Sequence, residues 1–229
     1  MNQYFIFKNI NSKDMGIIID SSPVFTRAPK KIEEIKLDGK NGSLYIDDNL
    51  FDTMIRQLSC VIVDKKKDIR EIMAWLSGEG PIIFSTELDK YYEAAIINQI
   101  DYTDIARQLY TFPLQIELQP FAYSVEEKKL DIKNHGIFNI EKSTYTIFPR
   151  IKVYGNGDID LNINGRIQKL YNINEYVELD SKLEIAYKDL QNKNMDIAGT
   201  YLTLEKGNNS IEWTGIVSKV EIYYRECYI

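Results

Sequence analysis

The sequence predicts a mainly β protein of two domains that contains one helix. Three observations support this prediction. The chain of 229 residues holds 16 tyrosines and many isoleucines and valines, which are residues that favour strands. Its apolar residues form short runs that are separated by glycine, asparagine and proline turn signals. A helical spacing of apolar residues stands out in one segment, residues 69–76.

The first half begins with strands predicted at residues 4–7, 16–19, 32–37 and 53–63. Residues 21–31 carry two prolines and no apolar period. We therefore expect a long exposed arm or loop there, and long ordered loops are uncommon unless they make functional contacts. Residues 38–42, with two glycines, predict a turn.

The predicted helix has start and stop signals at both ends. Asp64 is a suitable N-cap, and Gly78 suits the left-handed conformation that ends a helix. Its apolar stripe consists of Ile69, Ile72, Met73 and Leu76. We interpret this stripe as a core face that packs on a sheet.

After the helix, a strand is predicted at residues 81–84, followed by an antiparallel hairpin of residues 91–102 and 108–119 whose connection is 103–106. Residues 124–149 are more polar and irregular. We place the domain boundary there, which gives domains of residues 1–133 and 134–229.

Short apolar runs separated by turn signals fill the second half. Such spacing is typical of a β-sandwich or barrel. A helical turn is expected within residues 183–190. The predicted strands are residues 151–154, 159–163, 167–171, 176–179, 201–204, 210–213 and 217–224.

Two glycine clusters in VYGNGDIDLNING (residues 153–165) raise the question of phosphate binding. A dinucleotide fingerprint needs a third glycine and a following helix, whereas a period-two strand pattern follows here. We interpret these glycines as turn residues that supply positive φ. Asn164-Gly165 indicates a hairpin whose register is open: a two-residue loop places Ile167 opposite Asn162, and a three-residue loop with a bulge places it opposite Leu161.

Composition excludes several classes of function. The net charge of −6 argues against a protein whose main task is to coat nucleic acid. No apolar run approaches the ~20 residues of a membrane span, so we expect no membrane association. Two distant cysteines, Cys60 and Cys227, indicate free thiols and production in a reducing cytoplasm.

No catalytic, cofactor-binding or metal-binding constellation is found, so we expect no enzyme and no cofactor. His135 is the only histidine, and a triad of it with either cysteine is a weak hypothesis because it lies in the predicted linker. Adjacent carboxylates such as Glu33-Glu34 are typical of a solvated surface. Trp75 and Trp213 are candidates for stacking on sugars, but the core or an interface explains Trp75 at least as well.

Several segments, in order along the chain, resemble the distal tail (Dit) proteins of long-tailed bacteriophages. They are KLDGKNGSLYIDD (36–48), WLSGEGPIIFS (75–85), DKYYEAAIINQIDY (89–102), QPFAYS (119–124), VYGNGDIDLNING (153–165) and SIEWTG (210–215). Each is a packing or turn motif, so the specificity of the resemblance comes from the series.

The resemblance implies an N-terminal β-barrel-like belt domain with one helix and a C-terminal galectin-like β-sandwich. It also implies a homohexameric ring at the virion tail tip. That ring would join the major tail tube protein to a tail-associated hub, lysin or fibre protein, around the tape-measure protein. DNA would pass through its channel without specific binding.

The predicted interface residues are Arg27, Pro29, Lys30, Lys31 and Lys40. The arm is basic in an acidic protein, so we expect it to contact an acidic patch on a neighbouring subunit or on the tube protein. Six acidic copies also predict a channel that repels DNA. The alternatives are a carbohydrate-binding adhesion module in the C-terminal sandwich and a wall-degrading tail enzyme.

Overall fold

A computed structural model describes residues 3–20, 27–64, 67–97, 103–106 and 109–229. The chain divides into two compact units, of which the first runs to Tyr123 and includes Ile229 and the second spans Ser124–Tyr228. Both are built mainly of strands, and the described ranges contain one α-helix. This confirms the predicted mainly β class with a single helix. No helix in those ranges is long and apolar enough to cross a membrane.

Within the described residues, the first unit contains ten strands and the helix. In chain order they are β1 (Phe5–Phe7), β2 (Ile10–Asn11), β3 (Ile17–Ile19), β4 (Lys30–Lys36), β5 (Ser43–Phe51), β6 (Met54–Ile62), α1 (Ile69–Trp75), β7 (Gly78–Phe84), β8 (Lys90–Ile96), β9 (Thr103–Ala106) and β10 (Leu109–Ser124).

The main sheet of this unit curls towards closure. Its strand order is β2-β1-β7-β8-β10-β6-β3, and β9 pairs with β10. A bridge between Gln3 and Ile19 joins the chain entering β1 to the strand at the opposite end of the order. Strand β6 alternates buried and exposed residues, so one face of the curled sheet encloses the core. Within the described residues, β4 and β5 pair only with each other and form a separate two-stranded sheet.

Helix α1 closes the core of the first unit. Ile72 and Leu76 are buried, as the apolar stripe predicts. Trp75 is 8% exposed and stacks on Phe5, with ring centroids 5.7 Å apart. Its indole N–H donates to the carbonyl oxygen of Phe7 at 3.0 Å. Trp75 is therefore a core residue, and the sugar-stacking alternative for it is wrong.

The predicted N-cap of this helix is wrong. Asp68 caps it instead, because its carboxylate accepts a hydrogen bond from the backbone N–H of Arg70 at 2.8 Å. Gly78 has the predicted positive φ of 70°, although Leu76 is the C-cap and Gly78 already begins β7.

The second unit contains ten further strands and one short 3₁₀ turn at Asn194–Asp196. Its strands are β11 (Lys128–Ile132), β12 (Gly136–Ile140), β13 (Arg150–Ile163), β14 (Arg166–Ile173), β15 (Tyr176–Asp180), β16 (Ile185–Lys188), β17 (Gln191–Asn192), β18 (Ile197–Gly199), β19 (Gly207–Tyr224) and β20 (Cys227–Tyr228).

Two long strands, β13 and β19, organise this unit. The first half of β13 pairs with β15 and its second half with β14. The second half of β19 pairs with β11 and its first half with β12. The two long strands also pair with each other, with register shifts near Gly155 and Asn156. The pair β13 and β19 thus connects β14 and β15 on one side with β11 and β12 on the other.

The glycines of the Gly155-Asn-Gly157 cluster do not form the predicted tight turn. They lie within continuous strand β13, where the pairing register shifts, so they form a bulge. Gly157 has a φ of 79°. At Gly155 a Cβ atom would lie 2.3 Å from the carbonyl oxygen of Ile216, so only glycine allows this close approach of two strands.

We expect Gly155→Ala to destabilise the second unit by about 1–3 kcal/mol, because the added methyl group forces two paired backbones apart. Thermal unfolding measures the loss. Gly136→Ala is the matched control, since Gly136 also lies in a strand but open space surrounds its position. Equal melting temperatures for the two variants would contradict this explanation of the bulge.

Of the two registers that the sequence left open, the Asn164-Gly165 hairpin has that of the two-residue loop. Ile163 pairs with Arg166, and Ile167 lies opposite Asn162. Both loop residues have positive φ, 54° and 81°.

Several other predicted elements in the second half are wrong. Residues 183–190 hold strand β16 and no helical turn, and residues 201–204 form only a single bridge, from Leu204 to Ile147. Residues 210–213 and 217–224 belong to one strand, β19. In the first half, residues 103–106 form strand β9, although they were predicted as a connection.

The division of the chain into units falls before the predicted position at residue 133. β11, which precedes that position, pairs along its whole length with β19 and so belongs to the second unit. Polar alternation in this segment conceals the strand, because one of its faces meets solvent.

A buried carboxylate lies on β19 among cations and tyrosines. Glu221 is only 4% exposed, and its oxygens accept hydrogen bonds from Lys129, Lys219, Tyr154 and Tyr223. Burial alone would raise the pKa of Glu221, but these hydrogen bonds outweigh burial and lower the pKa from 4.5 to about 2.

This network predicts an acid-sensitive contribution to stability. Because folding lowers the pKa of Glu221, its contribution is fully present above the unfolded value near 4.5 and is lost as the pH falls towards 2. The contribution amounts to roughly 2–3 kcal/mol. We expect Glu221→Gln to be less stable at neutral pH and to lose less stability on acidification than the unchanged chain. Denaturant unfolding from pH 7 to pH 2 tests this, with Glu212→Gln on the exposed side of the same strand as control.

Candidate assembly surface

The two strands β4 and β5 with their connecting turn form an element that we call the hairpin arm, residues 30–51. Lys36 pairs with Ser43 and Ile35 with Leu44, so the register is regular from the tip to a shift between Lys30 and Ile32. The predicted turn at residues 38–42 is the tip, where Gly39 and Gly42 have positive φ. The returning strand β5 was not predicted.

One face of the hairpin arm is largely apolar and uncovered, with three apolar residues among the four of its two cross-strand pairs nearest the tip. Residues paired across two strands share a face, so Ile35 and Leu44 lie on the same side as Glu33 and Ile46. Leu44 is 54% exposed, and Tyr45, on the opposite side, is 64% exposed. An isolated two-stranded hairpin is marginally stable in water unless something packs against it. The hairpin arm is therefore the strongest candidate for a contact with another chain.

The base of the hairpin arm is fixed to the main sheet of its own unit. Phe51 packs edge-on against Phe121 of β10, with ring centroids 5.7 Å apart. The hydroxyl of Thr53 donates to the Glu117 carboxylate at 2.6 Å. These contacts orient the arm while its tip lies in solvent.

The predicted interface residues lie at the two ends of the hairpin arm. Arg27 and Pro29 are exposed just before its base, whereas residues 21–26 of the predicted arm lie outside the described residues. Lys30 pairs with Asp47 and donates to Asn49, and Lys31 lies 3.2 Å from Asp52. The hydrogen bond from Lys30 lowers the pKa of Asp47, with the backbone N–H of Asn49 acting in the same direction. Lys30 and Lys31 thus hold the base of the arm together.

Lys40 occupies the tip, together with Lys36 at the end of β4. Both side chains are exposed, and neither forms an ion pair within the described ranges. The tip therefore presents two cations, while the shaft carries carboxylates such as Glu33, Glu34 and Asp48.

The main sheet of the first unit contains an acidic groove of about 160 Å³. Three neighbouring strands each contribute one carboxylate: Glu79 from β7, Glu93 from β8 and Glu117 from β10. Gly80, Ala94, Ala95 and Gln119 complete its lining. Sequence reasoning missed this groove, because its carboxylates are far apart along the chain and only sheet pairing brings them together.

The residues considered for catalysis are placed in settings that explain them structurally. Burial raises the pKa of both the Cys60 and the Cys227 thiol to about 12, which disfavours the reactive thiolate. His135 packs edge-on against Trp213 at 4.4 Å. In the part of the chain that the structure describes, no three His, Cys, Asp or Glu side chains group as metal ligands do.

No protein-family model matches this sequence, and no curated protein matches it. A solved structure does match: the crystal structure of Dit (gp 19.1) of phage SPP1, described as a paradigm of hub adsorption apparatus in phages that infect Gram-positive bacteria. The TM-score is 0.82 over 100% of both chains, at 13% sequence identity. From its first residue to its last, the chain therefore has the fold of a phage distal tail protein.

Proposed function

We propose that this chain is a structural distal tail protein of a long-tailed phage or phage-like particle. Six copies form a ring that joins the tail tube to the hub or host-recognition proteins of the tail tip. The observation that carries the proposal is an uncovered amphipathic hairpin arm on a chain with the Dit fold throughout.

The hairpin arm supports self-assembly for a physical reason. Ring closure needs a heterologous interface, in which one surface meets a different surface of the next copy. An arm that is fixed at its base and carries Ile35, Leu44 and Ile46 on one face provides the first of these surfaces. Arg27, Pro29, Lys30, Lys31 and Lys40 remain our proposed contacts at its two ends.

The partners follow from the position of such a ring. It contacts the major tail tube protein on one side and a hub, lysin or fibre protein on the other, and it surrounds the tape-measure protein. Six copies carry −6 each, so a channel that repels DNA agrees with the composition. The galectin-like comparison for the second unit also remains part of this proposal.

Deletion of the gene from the producing phage or prophage tests the function. We expect particles without complete tails, and a copy supplied in trans should restore them. Complete, infectious tails in the absence of the protein would contradict the proposal.

One observation favours a second candidate function, carbohydrate binding by the second unit. A groove of about 280 Å³ is lined by Asn172, Asn174, Tyr176, Asp189, Gln191 and further polar residues. Amide and carboxylate groups beside one aromatic ring suit the hydroxyl groups of a sugar.

Binding of the full chain to host wall polysaccharide separates the two candidates. If the groove binds sugar, Tyr176→Ala should abolish binding, and the exposed Tyr171→Ala should leave it unchanged. No binding by the unchanged chain would remove this candidate and leave the structural function in place.

A further inference from the structure

The tip of the hairpin arm contains a residue pair with a chemistry of its own, Asn41-Gly42. In such a pair the backbone nitrogen of the glycine can attack the side-chain amide carbon of the asparagine, because glycine has no Cβ atom to hinder the approach. The attack closes a succinimide ring and releases ammonia. Water then opens the ring and leaves either aspartate or isoaspartate.

The sequence contains two further pairs of the same kind, Asn156-Gly157 and Asn164-Gly165. Reaction at any of them requires that the amide carbon and the attacking nitrogen approach to about 3–3.5 Å in the correct orientation. Hydrogen bonds that hold the asparagine side chain in another position oppose this approach. The three pairs can therefore be ranked by how firmly the structure holds each asparagine.

Two of the three asparagines are held. The side-chain amide of Asn164 donates to the side-chain oxygen of Asn209 at 2.8 Å, and its own oxygen accepts from the N–H of Ser210 at 2.9 Å. The side-chain oxygen of Asn156 accepts from the N–H of Glu175 at 3.1 Å, and this pair lies within strand β13. Both side chains are thus fixed by partners on other strands or turns.

The pair at the tip lacks such restraints. Asn41 and Gly42 are exposed, and they lie outside the strand pairing because β5 begins at Ser43. Within the described ranges, the side chain of Asn41 makes no hydrogen bond. Beyond its chain neighbours, no described atom lies within 4 Å of the place where a Cβ atom of Gly42 would be. The tip therefore has the space and the freedom that ring closure requires.

We infer that Asn41 is a site of spontaneous deamidation, and that in the folded chain it converts faster than Asn156 and Asn164. The product carries a carboxylate beside Lys40. Residues 36–42 contain two lysines and one aspartate, so their net charge falls from +1 (2 − 1) to zero. The isoaspartate product also lengthens the main chain of the tip by one methylene group. Conversion thus changes both the charge and the backbone of the arm's tip.

Peptide mapping of the full chain over time tests this assignment. Dilute protein is incubated at mildly alkaline pH, where the attacking nitrogen is deprotonated more readily, and mass spectrometry follows the peptide that contains each pair. We expect the Asn41 peptide to convert at least about tenfold faster than the Asn156 and Asn164 peptides. In water labelled with heavy oxygen, each product should carry one heavy oxygen atom, because water opens the succinimide.

The unfolded chain is the control for the structural argument. In denaturant the three pairs have the same chemistry and no restraints, so their rates should converge. Asn41→Gln removes the reactive residue and should abolish the acidic species that appears first in isoelectric focusing. Asn156→Gln, at the corresponding position of a held pair, is the matched control and should leave that species unchanged.

Two results would overturn the inference: an Asn156 or Asn164 peptide that converts as fast as the Asn41 peptide in the folded chain, or an early acidic species that persists in the Asn41→Gln variant. Both concern a single chain in dilute solution. Neither bears on the proposed ring, which deletion of the gene tests separately.

Discussion

Replacing both Leu44 and Ile46 by aspartate is expected to leave the chain folded but monomeric. Both side chains lie on the uncovered face of the hairpin arm, so neither substitution removes contacts from the core. Covering such side chains in an interface stabilises it by roughly 1.5–3 kcal/mol each. A loss of about 3 kcal/mol at every interface, the lower end for the two side chains together, lowers each association constant about 150-fold, and the losses accumulate around a closed ring.

Sedimentation measures the oligomeric state of the variant, and circular dichroism establishes that it is folded. Ile137→Asp is the matched control, because Ile137 is 73% exposed on β12 of the second unit. That control should assemble like the unchanged chain. If the Leu44 and Ile46 variant still forms rings, the hairpin arm does not hold the copies together.

The second large effect is expected at Trp75. Trp75→Ala removes a buried indole that stacks on Phe5 and donates a hydrogen bond to Phe7. We expect the first unit to lose about 3–5 kcal/mol, which is enough to unfold many domains of this size. Thermal unfolding measures the loss, with far-ultraviolet circular dichroism as the probe because it reports backbone structure.

Two further variants separate the contributions. Trp75→Phe keeps an aromatic ring but removes the indole donor, so it should cost about 1–2 kcal/mol. Trp213→Ala, at a partly exposed position against His135, should cost less than Trp75→Ala. If Trp75→Ala has little effect on stability and instead abolishes sugar binding, our assignment of Trp75 to the core is wrong.

The sequence was most informative where one face of an element is buried. The strand predicted at residues 53–63 matches β6, and the helical spacing identified α1, because each buries a regular stripe. The prediction of two separate strands failed at β19. There Gly215 has a φ of 87° and allows close approach to Asp158 while the strand continues. Glycine in a sequence signals an unusual backbone, and only the pairing partner distinguishes a turn from a bulge.

The candidate surface was less predictable than the fold. The basic residues near Lys30 were visible in the sequence, but Lys30 pairs within the arm itself, through Asp47. β5 escaped prediction because both its faces are exposed, so no alternation marks it. The acidic groove becomes recognisable only when β7, β8 and β10 lie side by side.

Native mass spectrometry of the purified, unmodified chain over a range of concentrations tests the central claim most directly. We predict a species of six copies that grows at the expense of the monomer and appears as a six-fold ring in electron micrographs. A chain that remains monomeric at every concentration, or that forms open oligomers of no fixed size, would contradict the account.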